Sequence, residues 1–210
     1  EFPREIFDQL SALGVNALTV PEEYGGAGRD ITATMVVIEE LARRSMAVAV
    51  PFIMCSCYGA MNIEEVGSEE QKAALLPKMA EGKLLFAYGI SEPDVGADVA
   101  SVRTTAVRKG NGATVTINGS KRFCSGANIA DYIYTVVKSD PEAGRYKNLS
   151  IVMIPPDAPG VTIELQNSMG MKGASTCDVT FEDVGAGPSS NTWPRCASQR
   201  AQSTSFRTIK

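Results

Sequence analysis

Histidine is absent from this sequence of 210 residues. Its absence excludes Ser-His-Asp and Cys-His nucleophile systems, imidazole metal ligands and histidine proton shuttles. A surplus of positive charge is missing as well, because 20 lysines and arginines stand against 24 acidic residues, for a net charge of −4. That balance indicates no nucleic-acid partner. Any acid–base chemistry must therefore come from carboxylates, lysine, tyrosine, cysteine or a bound cofactor.

A metal-ligand pattern is also missing. The five cysteines include one close pair, Cys55 and Cys57, but no second pair follows at zinc spacing and no histidine completes a site. The odd count and the scattered positions of Cys124, Cys177 and Cys196 favour free thiols in a reducing compartment. We therefore predict no metal site, and we expect Cys55 and Cys57 to be thiols of the core.

Long hydrophobic runs are nearly missing. The strongest candidate covers residues 46–63, which contain Pro51, Ser56 and Asn62 and barely reach the length of a membrane span. We therefore predict a buried helix there and no integral membrane segment. No signal peptide is evident and residue 1 is not methionine, so we expect a fragment at the N-terminus.

The first eighty residues have helical spacing. Apolar residues recur every three or four positions in residues 5–13. Asp30 is a typical N-cap for a second helix, and a mostly apolar helix covers residues 47–65. Ser68 opens a capping-box pattern for another helix. We predict an all-helical domain over residues 1–83.

From residue 84 onward the period of the apolar residues falls from 3.6 to 2, which is typical of strands. Asn118-Gly119 is a strong hairpin signal. Short strands at this spacing favour an antiparallel β-barrel domain over residues 84–184. The predicted fold class is therefore α+β, with helices first and strands afterwards. The predicted strands cover residues 102–108, 113–117, 121–125, 132–138, 149–154, 161–165 and 177–181.

The last segment, residues 185–210, keeps neither the helical nor the strand period. It is rich in Ser, Gln, Arg and Thr, and the change of character comes abruptly after residue 184. We expect an irregular tail without regular structure. We interpret it as the product of a shifted reading frame rather than as native protein.

Four motifs in a fixed order connect the chain to a known family. Residues 88–98 read Tyr-Gly-Ile-Ser-Glu-Pro-Asp-Val-Gly-Ala-Asp, which resembles the acyl-CoA dehydrogenase signature aromatic-x-aliphatic-Thr/Ser-Glu-Pro-x-x-Gly-Ser-Asp. Residues 118–125 read Asn-Gly-Ser-Lys-Arg-Phe-Cys-Ser, similar to Asn-Gly-x-Lys-x-(Trp/Phe)-Ile-(Thr/Ser) in the same family. Residues 20–26 resemble its N-terminal turn, and residues 169–173 with 180–184 resemble the end of its β domain. Each motif is weak alone, and the ordered set is specific.

The residue types in these motifs suit a flavin. An isoalloxazine that accepts a hydride at N5 needs hydrogen-bond donors around the ring and an aromatic or apolar wall. Phe123 and Ser125 are two positions apart, so on an extended strand they would project to one face. The resemblance implies that Tyr88, Ile90 and Ser91 contact FAD through backbone and hydroxyl groups. It further implies that Phe123 flanks the ring and Ser125 approaches N5; without it, Phe123 would be read as a core residue.

The resemblance implies FAD-dependent oxidation of an acyl-CoA thioester to the trans-2-enoyl-CoA. A carboxylate takes the α-proton, the β-hydride passes to flavin N5, and an electron-transferring flavoprotein accepts the electrons. Full-length members are homo-oligomers in the cytoplasm, or in the mitochondrial matrix of eukaryotes. In the family the catalytic base comes from a C-terminal helical domain that this chain does not resemble, and Glu92 has a structural role. We therefore nominate no catalytic residue and expect the 210 residues to be inactive alone.

One departure from the family pattern concerns the substrate. Ala97 stands where the family usually has Ser near the thioester, so the resemblance implies substrate binding at Ala97 without the hydroxyl donor. Two alternatives stay open. The chain could belong to a flavin-dependent monooxygenase or a nitroalkane-oxidase-like relative, or it could be a non-catalytic flavin- or acyl-binding subunit.

Overall fold

The computed structural model describes residues 2–109, 114–140, 142–144, 147–171 and 173–186, and every element below lies within them. The helices are α1 (Arg4–Ala12), α2 (Ile31–Arg44), α3 (Met46–Ile53), α4 (Asn62–Val66) and α5 (Glu69–Ala80). A π-helix, Met54–Met61, joins α3 to α4, and short 3-10 turns lie at Val15–Thr19, Glu22–Tyr24 and Val99–Ser101. The predicted helical N-terminal region is confirmed.

Two predicted helix caps are present. The Asp30 carboxylate accepts a hydrogen bond from the Ala33 N–H at 2.8 Å and begins α2. At the start of α5 the Ser68 hydroxyl accepts from the Gln71 N–H, while the Gln71 side chain accepts from the Ser68 N–H at 2.9 Å. These reciprocal bonds satisfy backbone donors that a helix start otherwise leaves unpaired.

The apolar helix predicted over residues 47–65 belongs to the core. The continuous helical run Met46–Val66 has the length and composition of a membrane span, but its side chains, among them Phe52 and Met54, pack in the hydrophobic core. Gly59 lets the π-helix approach the sheet, because a Cβ there would lie 2.8 Å from the Phe86 ring. The prediction of a buried helix is therefore confirmed.

Seven strands form one sheet in the order β1-β4-β2-β3-β7-β6, with β5 paired to β4. The α+β class is confirmed, but the prediction of a purely antiparallel barrel is wrong. β1 runs parallel to β4, as does the start of β2 at Thr105, and the sheet is a curled half-barrel. No hairpin joins β1 to β4, so nothing in the local sequence sets their relative direction. The strands are β1 (Phe86–Gly89), β2 (Thr105–Lys109), β3 (Thr114–Ser125), β4 (Tyr132–Lys138), β5 (Leu149–Ile154), β6 (Val161–Leu165) and β7 (Thr176–Ala186).

The hairpin signal at Asn118-Gly119 marks a bulge instead of a turn. β3 continues through both residues, and its register against β7 shifts between Ile117 and Gly119. Gly119 has φ 141°, and a Cβ on it would lie 2.6 Å from the Thr104 hydroxyl oxygen. The Asn118 side chain accepts the Asp183 N–H at 2.8 Å across the bulge. The left-handed preference that usually makes a turn thus serves to bend a strand.

Helices and sheet share one hydrophobic core. It contains Phe52 and Leu76 from the helices together with Phe86 and Ile133 from the strands. The division into domains near residue 83 stays a prediction. β7 includes residues 185 and 186, which the sequence pattern assigned to the irregular tail. Residues 187–210 lie outside the described residues.

Candidate flavin site

The first predicted flavin segment leaves β1 and closes at once into a tight turn. Glu92 and Val95 exchange two backbone hydrogen bonds, with the Glu92 N–H donating to the Val95 carbonyl at 2.8 Å. Ala97 is exposed two residues beyond the turn. Ile90 and Ser91 lie between β1 and the turn, and both are half-buried. The groups that bind Glu92 therefore set the position of Ile90 and Ser91.

Glu92 is a buried carboxylate with four donors. It accepts from the Arg103 N–H at 2.7 Å, the Thr104 N–H at 2.9 Å and the Thr104 hydroxyl at 2.7 Å. The Lys121 ammonium completes the set at 2.9 Å. Burial raises the pKa of Glu92, but the hydrogen bonds, led by that of the Thr104 hydroxyl, outweigh it and hold the pKa below its ordinary value. A carboxylate so stabilised is a poor proton acceptor, which agrees with a structural role.

Lys121 connects this segment to β3. Its side chain is fully buried (0% exposed) beside the 5% exposed Glu92 side chain, and its ammonium also donates to the Ile90 carbonyl at 3.2 Å. Burial lowers the pKa of Lys121, and the Glu92 carboxylate opposes that shift. The next residue, Arg122, donates its N–H to the Ser91 carbonyl at 2.8 Å. Strand β3 thus holds three consecutive residues of the first segment.

The second predicted segment is distorted at Phe123. The β3–β7 register shifts between Lys121 and Cys124, and Phe123 has φ 59°, a left-handed conformation that aromatic residues rarely adopt. The residue is 61% exposed, and the Arg122 guanidinium lies 5.2 Å from the ring centroid. Phe123 is therefore not a core residue, and regular alternation does not put it on one face with Ser125. Bulges next to functional sites re-aim side chains in this way.

Tyr88 is held by the π-helix. Its ring stacks on Tyr58 with centroids 4.0 Å apart, and its hydroxyl accepts a hydrogen bond from the Asn62 amide. Burial raises the pKa of the Tyr88 phenol, and the Asn62 bond partly opposes that shift. Because the ring is committed to the helix, the backbone is what Tyr88 offers to a cofactor. π-Helical turns are rare and recur at functional sites.

The structure bonds Ile90 and Ser91 to β3, the strand that carries Phe123 and Ser125, and places the exposed Ala97 in a loop. Sequence reasoning missed the supporting residues Tyr58, Asn62 and Thr104. Lys121 was part of a family motif, but its supporting role was not predicted. One signal was available for Lys121: it lies on the inward-facing period of β3, four residues after the buried Ile117.

The cysteines that the structure describes are free, and no group of metal-ligating side chains occurs among the described residues. Cys55, Cys124 and Cys177 are buried and Cys57 is half-buried. Burial raises the pKa of the Cys55 and Cys124 thiols to about 12. They are therefore protonated and unreactive at neutral pH. Cys196 lies outside the described residues.

The residues present fit a flavin. In the part of the chain that the structure describes, the half-buried Ser91 and Ser125 hydroxyls have no hydrogen-bond partner and are free to contact a ligand. The exposed Phe123 ring offers an apolar face. It follows Arg122, whose N–H donates to the Ser91 carbonyl. Hydroxyl donors beside an aromatic face are what an isoalloxazine ring requires.

Comparison with known proteins decides the family. The model for "Acyl-CoA dehydrogenase, N-terminal domain" matches residues 1–83, and the model for "Acyl-CoA dehydrogenase, middle domain" matches residues 87–184. The chain belongs to the acyl-CoA dehydrogenase family. An acyl-CoA dehydrogenase of Bacillus subtilis (strain 168) is 34% identical over 185 residues, which are 88% of this chain and 48% of that protein. The chain spans about half the length of the relatives that it matches.

Solved structures of acyl-CoA dehydrogenases share the fold. Glutaryl-coenzyme A dehydrogenase in complex with glutaryl-CoA is 33% identical with a TM-score of 0.82, and the match covers 90% of this chain and 48% of that one. An acyl-CoA dehydrogenase from Bacillus anthracis, complexed with FAD, is 30% identical with a TM-score of 0.80 and covers 89% and 32%. At these identities the likeness extends beyond fold to family.

Proposed function

We propose that this chain forms the helical and middle parts of an FAD-dependent acyl-CoA dehydrogenase. The whole protein would oxidise an acyl-CoA thioester to the trans-2-enoyl-CoA, with FAD supplying the hydride acceptor. One observation carries the proposal: a strained, exposed Phe123 lies on the strand that binds the Ser91 carbonyl through Arg122. Strained backbone conformations cluster at active sites and ligand-binding positions.

Each predicted residue has a role in holding FAD. The hydroxyls of Ser91 and Ser125 and the backbone groups of Tyr88 and Ile90 donate to or accept from the flavin. Phe123 covers one face of the ring and excludes water from it. These contacts orient the cofactor toward an acyl chain, with Ala97 near the thioester end of the substrate.

The oxidation also requires a catalytic base that removes the α-proton. Removal of the α-proton needs a carboxylate that is free to accept a proton. Glu92 accepts four hydrogen bonds, one of them from its ion-pair partner Lys121, so it stays a structural residue. We therefore propose that three features depend on further protein: the catalytic base, the complete acyl-CoA pocket and the docking site for an electron-transferring flavoprotein. We also propose that the whole protein is a homo-oligomer of the cytoplasm or the mitochondrial matrix.

Flavin binding by the 210-residue chain tests the proposal. FAD would be titrated into the folded protein and followed by quenching of flavin fluorescence, with Ser125→Ala as the site variant. Ser139→Ala is the control, since Ser139 bonds the Ser150 hydroxyl in another part of the sheet. We expect saturable FAD binding that is weakened several-fold in Ser125→Ala and unchanged in Ser139→Ala. An FAD affinity that is unchanged in folded Ser125→Ala would contradict the proposed site.

A further inference from the structure

Lys121 reaches along the whole first flavin segment from its place in the middle of β3. A Cβ on Gly89 would lie 3.4 Å from the Lys121 Cγ, so the lysine stem passes against the end of β1. The ammonium then donates to the Ile90 carbonyl at 3.2 Å and to the Glu92 carboxylate at 2.9 Å. One fully buried side chain therefore lies beside residue 89 and binds residues 90 and 92.

The other side of the segment is held through Glu92. Its carboxylate accepts from the backbone of residues 103 and 104 and from the Thr104 hydroxyl. The segment is thus fastened between β3 and the residues that precede β2. A buried ion pair gives up the hydration of both charges, and an apolar pair of the same size would serve stability equally well. What an apolar pair could not do is fix the position of the Ile90 carbonyl.

We propose that Lys121 is a positioning residue, which holds the Ile90 carbonyl so that the Ser91 hydroxyl keeps its place beside Phe123 and Ser125. This inference rests on the proposed flavin site formed by these residues. Lys121 is suited to the role because it precedes the distorted Phe123 by two residues in the same strand. One short stretch of β3, from Lys121 to Phe123, therefore sets the geometry of both flavin segments.

The test compares two variants of the same buried network. Glu92→Gln/Lys121→Met removes the contact to the Ile90 carbonyl and leaves no unpaired charge. Thr104→Val is the control, since it removes one hydrogen bond of Glu92 from the opposite side and keeps Lys121 in place. We expect the double variant to bind FAD at least tenfold more weakly, with an altered absorption spectrum of the bound flavin. Thr104→Val should bind FAD with the affinity and spectrum of the wild type.

Two results would overturn the inference. One is wild-type FAD affinity and spectrum in the double variant. The other is an equal loss of FAD affinity in both variants, which would show that only general stability matters. If the double variant does not fold, Lys121→Arg replaces it, because it keeps a cation beside the Glu92 carboxylate while a planar guanidinium does not reproduce the ammonium contact with the Ile90 carbonyl.

A flavin-free measurement separates this inference from the proposed function. Hydrogen exchange of the Arg122 amide reports its bond to the Ser91 carbonyl. We expect exchange at Arg122 to be at least tenfold faster in the double variant, with Thr104→Val and the amides shared by β4 and β5 unchanged. If Ser125→Ala binds FAD as the wild type does, the proposed flavin site is wrong, while the exchange at Arg122 still decides the role of Lys121. Unchanged exchange at Arg122 refutes that role.

Discussion

The rings of Tyr58 and Tyr88 are stacked face to face, with an interplanar angle of 11° and centroids 4.0 Å apart. Tyr58 belongs to the π-helix and Tyr88 to the edge strand β1, so the stack joins the helical region to the predicted flavin segment. Asn62 strengthens the joint, because its amide contacts both the Tyr88 hydroxyl and the Tyr58 carbonyl. The position of β1 is therefore set by helix residues as well as by its strand partner.

Loss of the stack should destabilise the protein. We expect Tyr58→Leu to lower the free energy of unfolding by about 1 kcal/mol, because an aromatic pair contributes roughly that much beyond the area it buries. Tyr58→Phe keeps the ring and should stay within about 0.5 kcal/mol of the wild type. Urea unfolding measures both changes. Equal stability of the two variants would show that the stack contributes nothing.

Phe123 should show a conflict between stability and binding. In the left-handed conformation glycine is more favourable than alanine by about 1 kcal/mol. We therefore expect Phe123→Gly to be more stable than Phe123→Ala by about that amount in urea unfolding. Both variants lose the ring, so both should bind FAD at least tenfold more weakly than the wild type. Retention of FAD affinity by either variant would remove Phe123 from the site.

Gly119 should resist substitution. A Cβ at this position would lie 2.6 Å from the Thr104 hydroxyl oxygen and 2.7 Å from the Thr104 Cα. We expect Gly119→Ala to lower the free energy of unfolding by about 1–3 kcal/mol, since the backbone of Thr104 cannot move freely. Gly170→Ala is the control, because a Cβ there meets no atom within 4 Å. The same midpoint of thermal unfolding in both variants would show that the bulge does not require glycine at position 119.

The buried Glu92 should make stability depend on acid pH. Its pKa in the folded protein lies below the ordinary 4.5, so the unfolded chain takes up this proton first as the pH falls. The stabilisation is fully present above pH 4.5 and is lost as the pH falls from there through the folded-state pKa. We expect the stability difference between wild type and Glu92→Gln to be constant near neutral pH and to shrink below pH 4.5. A difference that grows in acid would reverse the assigned direction.

The 210-residue chain should not turn over substrate. Glu92, the buried carboxylate of the candidate site, is held by four donors and is therefore a poor acceptor for an α-proton. A panel of acyl-CoA thioesters would be assayed with an artificial electron acceptor, and the Bacillus subtilis relative would serve as the positive control. We expect no activity above background. Measurable turnover would place a base within these residues.

Prediction from sequence succeeded where neighbouring residues decide the structure. The caps at Asp30 and Ser68 depend on residues three positions away, and both are present. The apolar composition of residues 47–65 was enough to predict a buried helix. Motifs of five to eleven contiguous residues, taken as an ordered set, sufficed for the family. The assignment of Tyr88, Ser91, Phe123 and Ser125 to FAD stays a prediction.

Prediction failed where distant residues compete for the same segment. Asn118-Gly119 has the local preference of a turn, but pairing of β3 with β7 on both sides of it leaves only a bulge. Phe123 and Ser125 have the spacing of two residues on one face of a strand, and a second bulge at Phe123 breaks that alternation. In both cases the hydrogen bonds of a long strand pair outweigh a preference that involves two residues.

The sequence by itself determined the helix starts, the change from helical to strand period and the family. Tertiary structure alone decided that β1 lies parallel to β4, that the Tyr58 ring covers Tyr88, and that Lys121 reaches Glu92 across 29 residues of sequence. The physical reason is the range of the interactions. Caps and periodicity are interactions of residues within one turn, whereas strand order and buried ion pairs depend on which distant surfaces pack together once the core has formed.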